Sequence, residues 1–319
     1  MKQKGKKVLI TGADGFVGSH LCRHLLQKGY SVIGLAFRDK QKLGHLRKNK
    51  NFQIVEGDIR NFDKVFKILK EHKPEGIFHT AAILPSEKEN DNPFNFFEVN
   101  AIGTLNLLEA CRILNIKKFI YSSSTTVYGR SKKCLRADER HPVNPSDFYE
   151  LTKLEGENFC KLYSKKYGIK TIILRYSGVF GLGKNQGAVA TFVKNALSGK
   201  PLNIFNNTSW DIIYIEDAVK ANILALEKLG KLNFEVINIA SGREINIKDL
   251  AQKIIKISGS NSKIKINKFL SSFCLSANSN KAQRILKFKP TPLDKALDKY
   301  IKEIKNLIVL KNDNHNPSA

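Results

Sequence analysis

Short apolar runs alternate with longer segments of helical periodicity along the first half of the chain. The runs predict strands at Lys7–Thr11, Ser31–Ala36, Phe52–Val55, Gly76–His79, Lys118–Ser122 and Thr171–Leu174. The periodic segments predict helices at Phe16–Lys28, Asn61–Glu71, Phe94–Leu114 and Phe148–Tyr167. Strands that alternate with helices need crossover connections, so the pattern predicts an α/β fold with a doubly wound parallel sheet.

The pattern is less regular after Arg175. A glycine-rich segment, 178–187, comes before the next predicted helix. The elements predicted in this half are a helix near Ala188–Leu197, strands at Leu202–Phe205 and Ile212–Ile215, and a helix at Ile245–Ile257. This irregularity indicates a smaller lobe rather than a continuation of the same alternation.

Three glycines stand between the first predicted strand and the first predicted helix, at Gly12, Gly15 and Gly18. In this setting the first permits a tight turn, the second lets the backbone approach a pyrophosphate, and the third allows close packing of helix on strand. The helix would then present free N–H groups to the phosphates from its first residues, Phe16 and Val17. The spacing therefore predicts a dinucleotide site on a Rossmann sheet.

The end of the second strand bears on the choice of dinucleotide. An acid at this position bonds the ribose hydroxyls of NAD, but the chain has Ala36, and Arg38 could pair with a 2′-phosphate. These residues slightly favour NADP, whereas Asp39 could supply the acid for NAD, so NAD stays an alternative. Asp58, followed by Ile59, is placed to bond the adenine; the alternative is that Asp58 caps the helix that follows it.

A serine-rich segment after the fifth strand and a Tyr–Lys pair further on are the candidate catalytic residues. Tyr149 and Lys153 are four residues apart on a predicted helix and share one face. A neighbouring ammonium and an oxidised nicotinamide would both favour the phenolate, so Tyr149 could act as general acid and base. Ser124 would hydrogen-bond the substrate oxygen that alternates between hydroxyl and carbonyl.

From about Lys7 to Leu297 the chain resembles the extended short-chain dehydrogenase/reductase family, in its NAD-dependent epimerase/dehydratase branch. The resemblance implies an enzyme that acts on nucleotide-linked sugars, with Ser124, Tyr149 and Lys153 as the catalytic set. It also implies a homodimer formed through the two long helices. The residues that it places along the cofactor are Ala81, Ala82, Asn100, Ser122, Lys153, Tyr176 and Ser177. The domains that it implies are a Rossmann domain over 1–176, a region over 177–310 that forms mainly a substrate lobe with segments returning to the sheet, and a polar tail over 311–319.

The chain departs from the family pattern in places that concern the substrate. Thr125 and Thr126 stand where dehydratases carry an Asp–Glu pair, which argues against dehydration. Gly178 replaces an Asn and Trp210 replaces an Arg that would contact the substrate diphosphate. Trp210 could stack on a base or sugar, or could simply be a packed aromatic. The lysines that could bind the phosphates instead are Lys184, Lys194 and Lys268.

Three functions are compatible with these residues. The first is an epimerase that works through a transient 4-keto sugar with no net use of cofactor. The second, favoured by Ala36 and Arg38, is an NADPH-dependent reductase of a 4-keto sugar. The third is a non-catalytic dinucleotide-binding or RNA-associated scaffold, which an intact Ser/Tyr/Lys set argues against.

Composition narrows these classes further. The 319 residues include 54 Lys plus Arg against 29 Asp plus Glu, a net charge of +25 that suits an anionic substrate. Because no RNA-binding signature accompanies the charge, nucleic acid is not the expected partner. The five cysteines include no CxxC, so neither a disulfide framework nor a metal site is expected. No apolar run is long enough to span a membrane, and we expect a cytoplasmic enzyme.

Overall fold

The computed structural model describes residues 5–37, 40–85, 92–131, 134, 136–267 and 272–313. Seven strands form one parallel sheet: β1 (Lys7–Thr11), β2 (Ser31–Ala36), β3 (Phe52–Glu56), β4 (Gly76–His79), β5 (Lys118–Ser124), β6 (Lys170–Tyr176) and β10 (Phe234–Ile239). The other strands among these residues are β7 (Gly178–Phe180), β8 (Leu202–Ile204), β9 (Asn207–Tyr214), β11 (Glu244–Asn246), β12 (Ile264–Ile266) and β13 (Ser272–Leu275). The order of the large sheet is β10-β6-β5-β4-β1-β2-β3, which reverses direction at β1 and is the expected doubly wound arrangement.

Helices separate consecutive strands of the large sheet. The helices are α1 (Phe16–Gln27), α2 (Phe62–His72), α3 (Pro93–Phe96), α4 (Gly103–Ile113), α5 (Phe148–Tyr167), α6 (Ala188–Leu197), α7 (Ile215–Lys228), α8 (Ile247–Ser258), α9 (Asn280–Leu286) and α10 (Leu293–Asp313). A π-helical segment, Phe97–Ile102, joins α3 to α4, so the single long helix predicted at Phe94–Leu114 is three consecutive helical segments. In the described part of the chain, 3₁₀ helices lie at Lys40–Leu46 and Thr125–Tyr128.

Alternation along the central strand places apolar side chains on both faces of the sheet. Val8 and Ile10 pack on the face covered by α1 and α7, whereas Leu9 packs on the face covered by α2, α4 and α5. All three are at most 1% exposed. The sequence of β1 is therefore a continuous apolar run, because helices cover the strand on both faces of the sheet.

A third apolar cluster forms away from the large sheet, where α6, α8 and α10 pack around β9. There β9 pairs with β7, β11 and β13. The strand predicted at Ile212–Ile215 is longer than expected, since β9 begins at Asn207, and Ile215 already starts α7. Polar residues at the start of β9 pair with β13 from Asn207 and with β11 from Ser209, and apolar periodicity does not reveal this pairing.

The cysteine expectation is wrong in one respect. Cys134 and Cys274 form a disulfide although they are 140 residues apart, with their Cα atoms 5.0 Å from each other. The cause is a β-bridge beside them, in which the N–H of Cys274 donates to the carbonyl of Ser131 at 2.7 Å. Cys22, Cys111 and Cys160 are buried and unpaired. Within the described ranges, no helix has both the length and the apolar character needed to cross a membrane.

Candidate active site

The turn between β1 and α1 is built so tightly that only glycine fits it. Gly12 has a φ of +63°, and a Cβ there would lie 2.7 Å from the Cα of Ala81. A Cβ on Gly18 would overlap the carbonyl oxygen of Gly12. The first turn of α1, starting at Phe16 and Val17, has no side-chain cap and no acidic residue. Free N–H groups and close backbone approach are what a pyrophosphate requires, so these residues fit a dinucleotide.

The segment after β4 is fastened to its neighbours by hydrogen bonds. The N–H of Ala81 donates to Thr11 Oγ1 at 3.2 Å, and Ala82 follows at the surface. The Asn100 amide accepts from the N–H of Ile83 at 2.8 Å and donates to its carbonyl at 3.1 Å. Asn100 is 1% exposed and holds this segment in place through the backbone of Ile83.

At the far end of the sheet, Ala36 closes β2 and is buried. Arg60 donates from Nε to Asp58 Oδ2 at 2.8 Å, and its guanidinium lies 5.8 Å from the centroid of the Phe37 ring. Burial raises the pKa of Asp58, but the hydrogen bonds from Arg60 outweigh it and leave the pKa below its usual value. Ile59 is buried beside this pair.

The alternative interpretation of Asp58 as a helix cap is wrong. The cap of α2 is Asn61, whose side chain accepts from the N–H of Lys64 at 2.9 Å. The Asp58 side chain is instead paired with Arg60. Arg38 and Asp39, on which the choice between NADP and NAD was based, lie outside the described residues.

Ser124 ends β5, and Tyr149 and Lys153 lie one turn apart on α5. Ser124 Oγ caps the following 3₁₀ helix by accepting from the N–H of Thr126 at 3.2 Å. Asp147 caps α5 by accepting from the N–H of Glu150 at 2.8 Å. The helix that carries Tyr149 is therefore fixed at its first turn.

The electrostatics of this set differ from the sequence expectation. Burial raises the pKa of Tyr149 to about 12, and the carboxylates of Asp147 and Glu150 add to the rise, while the Ser124 hydroxyl opposes it. Burial lowers the pKa of Lys153 to about 8, against the opposing attraction of Glu157. The Lys153 ammonium lies 4.3 Å from the centroid of the Tyr121 ring. In the protein alone, Tyr149 therefore keeps its proton at neutral pH.

A buried ion pair below this set was missed from the sequence. Glu157 is bonded through both carboxylate oxygens to Arg175, at 2.6 and 2.9 Å, and also accepts from Ser123. Both members of the pair are 5% exposed. The available signal was the spacing, since Glu157 follows Lys153 by one helical turn on the same face.

A cavity of about 370 Å³ opens where β5 and β6 end. The residues that line it are Ser124, Thr125, Thr126, Arg130, Tyr176, Ser177, Gly178, Ala188, Asn206, Thr208, Trp210, Ile247, Phe273 and Leu275. Tyr149 and Lys153 are not among them. We call β9, β13 and the pair Arg130–Ser131 the pocket wall.

Two predicted cofactor residues, Tyr176 and Ser177, face this cavity and are anchored behind it. The Tyr176 hydroxyl accepts from Asn222 Nδ2 at 2.6 Å, and Ser177 donates to Asp211 at 3.1 Å. Asp211 also accepts from the backbone N–H groups of the turn Ser241–Arg243. Ser122 is partly buried in the middle of β5.

Of the lysines proposed as phosphate contacts, the two that the structure describes do not line the cavity. Lys184 donates to the carbonyl of Val179 at 2.7 Å and lines a separate, smaller cavity behind Trp210. Lys194 is on the exposed face of α6 and lines neither cavity. Lys268 is outside the described residues. Trp210 lines both cavities.

Comparison with known proteins agrees with this architecture. Residues 8–240 match the profile of the NAD dependent epimerase/dehydratase family. The chain belongs to this family of enzymes. The resemblance drawn from the sequence is therefore confirmed.

Relatives and solved structures cover nearly all of the chain. The UDP-glucuronate 4-epimerase 4 of Arabidopsis thaliana is 30% identical over 93% of this chain and 75% of its own length. The UDP-glucose 4-epimerase of Thermotoga maritima, solved with UDP-glucose, superposes with a TM-score of 0.86 at 29% identity over 95% and 99% of the two chains. The UDP-glucuronic acid 4-epimerase of Bacillus cereus, solved with UDP-glucuronic acid and NAD, gives 0.83 at 33% identity over 94% and 99%.

Proposed function

We propose that this member of the family is an NAD-dependent 4-epimerase of a nucleotide-linked sugar. The observation that carries the proposal is the cavity at the carboxyl ends of β5 and β6, which brings Ser124 together with Tyr176 and Ser177. Ligands bind at this edge of open parallel sheets. The solved relatives that hold UDP-sugars and NAD support the choice of substrate class and of NAD.

In the proposed mechanism, Tyr149 takes the proton of the sugar 4-hydroxyl and later returns it. Ser124 orients the sugar oxygen through a hydrogen bond. Lys153 holds a positive charge on the helix face that it shares with Tyr149. When bound, NAD supplies the hydride acceptor and a positive charge that favours the Tyr149 phenolate over the buried neutral phenol.

The lining of the cavity argues against a dehydratase. Elimination of water from a sugar needs an acid for the leaving hydroxyl and a base for the neighbouring proton. The described lining has Thr125 and Thr126 next to Ser124, and no carboxylate. A threonine hydroxyl is neither an effective acid nor an effective base near neutral pH.

A reductase of 4-keto sugars remains the second candidate because β2 ends in Ala36 in place of an acid. The two candidates differ in their cofactor balance. If the protein is an epimerase, the purified protein should release NAD, identified by mass. It should also convert UDP-glucose or UDP-glucuronate into a mixture of C4 epimers, detected by NMR, with no net absorbance change at 340 nm. Protein that instead consumes NADPH in stoichiometric amounts is a reductase.

We extend the proposal to a homodimer formed through α4 and α5. The outer faces of these helices expose Ile113, Leu162 and Tyr167, each at least 41% accessible. Apolar residues grouped on adjacent helices are typical of an interface. Light scattering should give twice the mass of one chain, and Leu162→Glu should shift it toward a single chain.

A further inference from the structure

Arg130 occupies a distinctive place in the pocket wall. It follows the 3₁₀ helix that begins after Ser124, and its side chain lines the cavity. Among the described residues that line the cavity, it alone carries a charge. A cavity that binds an anionic substrate needs a cation at or near its surface, because an unpaired phosphate or carboxylate loses hydration on binding.

The guanidinium of Arg130 is held from two sides. Its central carbon lies 5.3 Å from the centroid of the Phe273 ring, a distance typical of cation–π stacking. On another side, Nη2 donates to Asp147 Oδ2 at 3.2 Å, and Nε lies 3.7 Å from Glu150 Oε1. The stack covers one face of the planar group and leaves N–H donors along its edge.

Each of the two carboxylates near Arg130 has one oxygen bonded elsewhere, while Glu150 Oε1, the oxygen nearest Arg130, is buried and makes no hydrogen bond to the described residues. Asp147 caps α5 with its second oxygen, and Glu150 accepts from the N–H and hydroxyl of Ser146 at 2.7 and 2.8 Å. They anchor the guanidinium without using all its donors, since a guanidinium has five N–H groups. The Arg130 side chain is 53% exposed, so a ligand in the cavity can reach it.

The backbone under Arg130 is fixed as well. Ser131 pairs with Cys274, the disulfide joins Cys134 to the same strand, and the N–H of Ala137 donates to Ser276 at 3.2 Å. The segment that follows Arg130 is therefore tied to β13 and to the residue after it. Preorganisation of this kind reduces the entropy lost on binding.

We propose that Arg130 binds an anionic oxygen group of the substrate, either the diphosphate of the nucleotide or a carboxylate on the sugar. This inference rests on the proposed function, which supplies the nucleotide-linked sugar. Arg130 thereby provides a charge in a cavity whose lining has Gly178 and Trp210 at the positions that depart from the family pattern.

The test compares Arg130→Met with Arg140→Met in the full chain. Arg140 is an exposed arginine ten residues further on, paired with Asp138 and absent from the cavity lining, so its variant controls for the loss of one positive charge. Dissociation constants for UDP, UDP-glucose and UDP-glucuronate are measured by calorimetry with NAD present. We expect Arg130→Met to weaken binding at least about tenfold, the effect of one charge-assisted contact, and Arg140→Met to change it less than about twofold.

The ligand series identifies the group. Equal weakening for all three ligands assigns Arg130 to the diphosphate, and weakening for UDP-glucuronate alone assigns it to the carboxylate. Unchanged constants for all three ligands in Arg130→Met overturn the inference while leaving the epimerase proposal intact. If the unaltered protein binds none of the three, the proposed function fails and the inference fails with it. Circular dichroism of the variant verifies that it is folded.

Discussion

The glycine turn after β1 and the pocket wall both border the candidate site, but they do so with different parts of the chain. The turn offers backbone: Gly12 and Gly18 have no space for a Cβ, and the first N–H groups of α1 are uncapped. The pocket wall offers side chains, among them Arg130, Trp210 and Phe273. A backbone site recognises a group common to all dinucleotides, whereas a side-chain site can change its ligand by substitution. Recognition of the substrate should therefore be the more variable property.

The largest effect should come from substitution of Tyr149, which lies on α5 and belongs to neither the glycine turn nor the pocket wall. We expect Tyr149→Phe to lower kcat by about 10²–10⁴-fold, because it removes the proposed proton carrier while keeping the ring. Retained NAD should be unchanged, as the turn is untouched. Tyr167→Phe, an exposed tyrosine at the end of the same helix, is the matched control and should keep full activity. Loss of NAD from Tyr149→Phe would mean that its effect is not on the chemical step.

Addition of one methyl group to the glycine turn should weaken NAD binding. Gly12→Ala places a Cβ 2.7 Å from Ala81 Cα at a φ of +63°, so the turn must open. We expect the Kd for NAD to rise by about a hundredfold, since a misplaced backbone loses several hydrogen bonds to the pyrophosphate. Gly44→Ala is the control, because its new Cβ has no atom of the described residues within 4 Å. Its Kd for NAD should equal that of the unaltered protein. Equal affinities in both variants would refute the backbone interpretation.

Removal of the disulfide should affect stability more than cofactor binding. The bond closes a loop of 140 residues, and loss of such a cross-link typically costs about 2–4 kcal/mol of unfolding free energy. Urea unfolding with and without a dithiol reductant measures this difference. A Cys134→Ser/Cys274→Ser variant should be as unstable as the reduced parent and insensitive to the reductant. An unchanged free energy of unfolding on reduction would show that the disulfide does not stabilise the pocket wall.

A smaller effect should appear in the pH dependence of the unliganded protein. Lys153 has a pKa of about 8 in the fold, below its usual 10.5, so between these pH values the unfolded chain binds more protons. The free energy of unfolding gains a contribution that rises with pH across this window. Above pH 10, the raised pKa of Tyr149 acts in the opposite direction. Between pH 8 and 10 the Tm of the parent should rise relative to that of Lys153→Met, and parallel curves would contradict the shift.

The regularity of the first half explains why its strands were predictable. β1, β2 and β4 have the bounds expected from the sequence, because buried parallel strands flanked by helices are uninterrupted apolar runs. The start of β9 could not be found in this way, since its residues from Asn207 are polar and owe their conformation to β11 and β13.

The site was predictable to the extent that its residues lie in local motifs. The glycine spacing and the Tyr149–Lys153 pair are such motifs. Arg130 does not belong to a local motif. Its guanidinium contacts the Phe273 ring, which lies far away in the sequence, and no local pattern identifies it. The disulfide was missed for the same reason, because cysteine spacing along a chain carries no information on distance across it.

The bond between Cys134 and Cys274 also makes a closed covalent ring out of part of the chain. Tyr149 and Lys153 belong to the ring, whereas Ser124 and the glycine turn lie outside it. A protease that cuts once inside the ring would leave a single molecule until a reductant is added, when two fragments separate on a gel. During synthesis the ring cannot close before residue 274 has left the ribosome, so the first half of the large sheet can form while the pocket wall is still open.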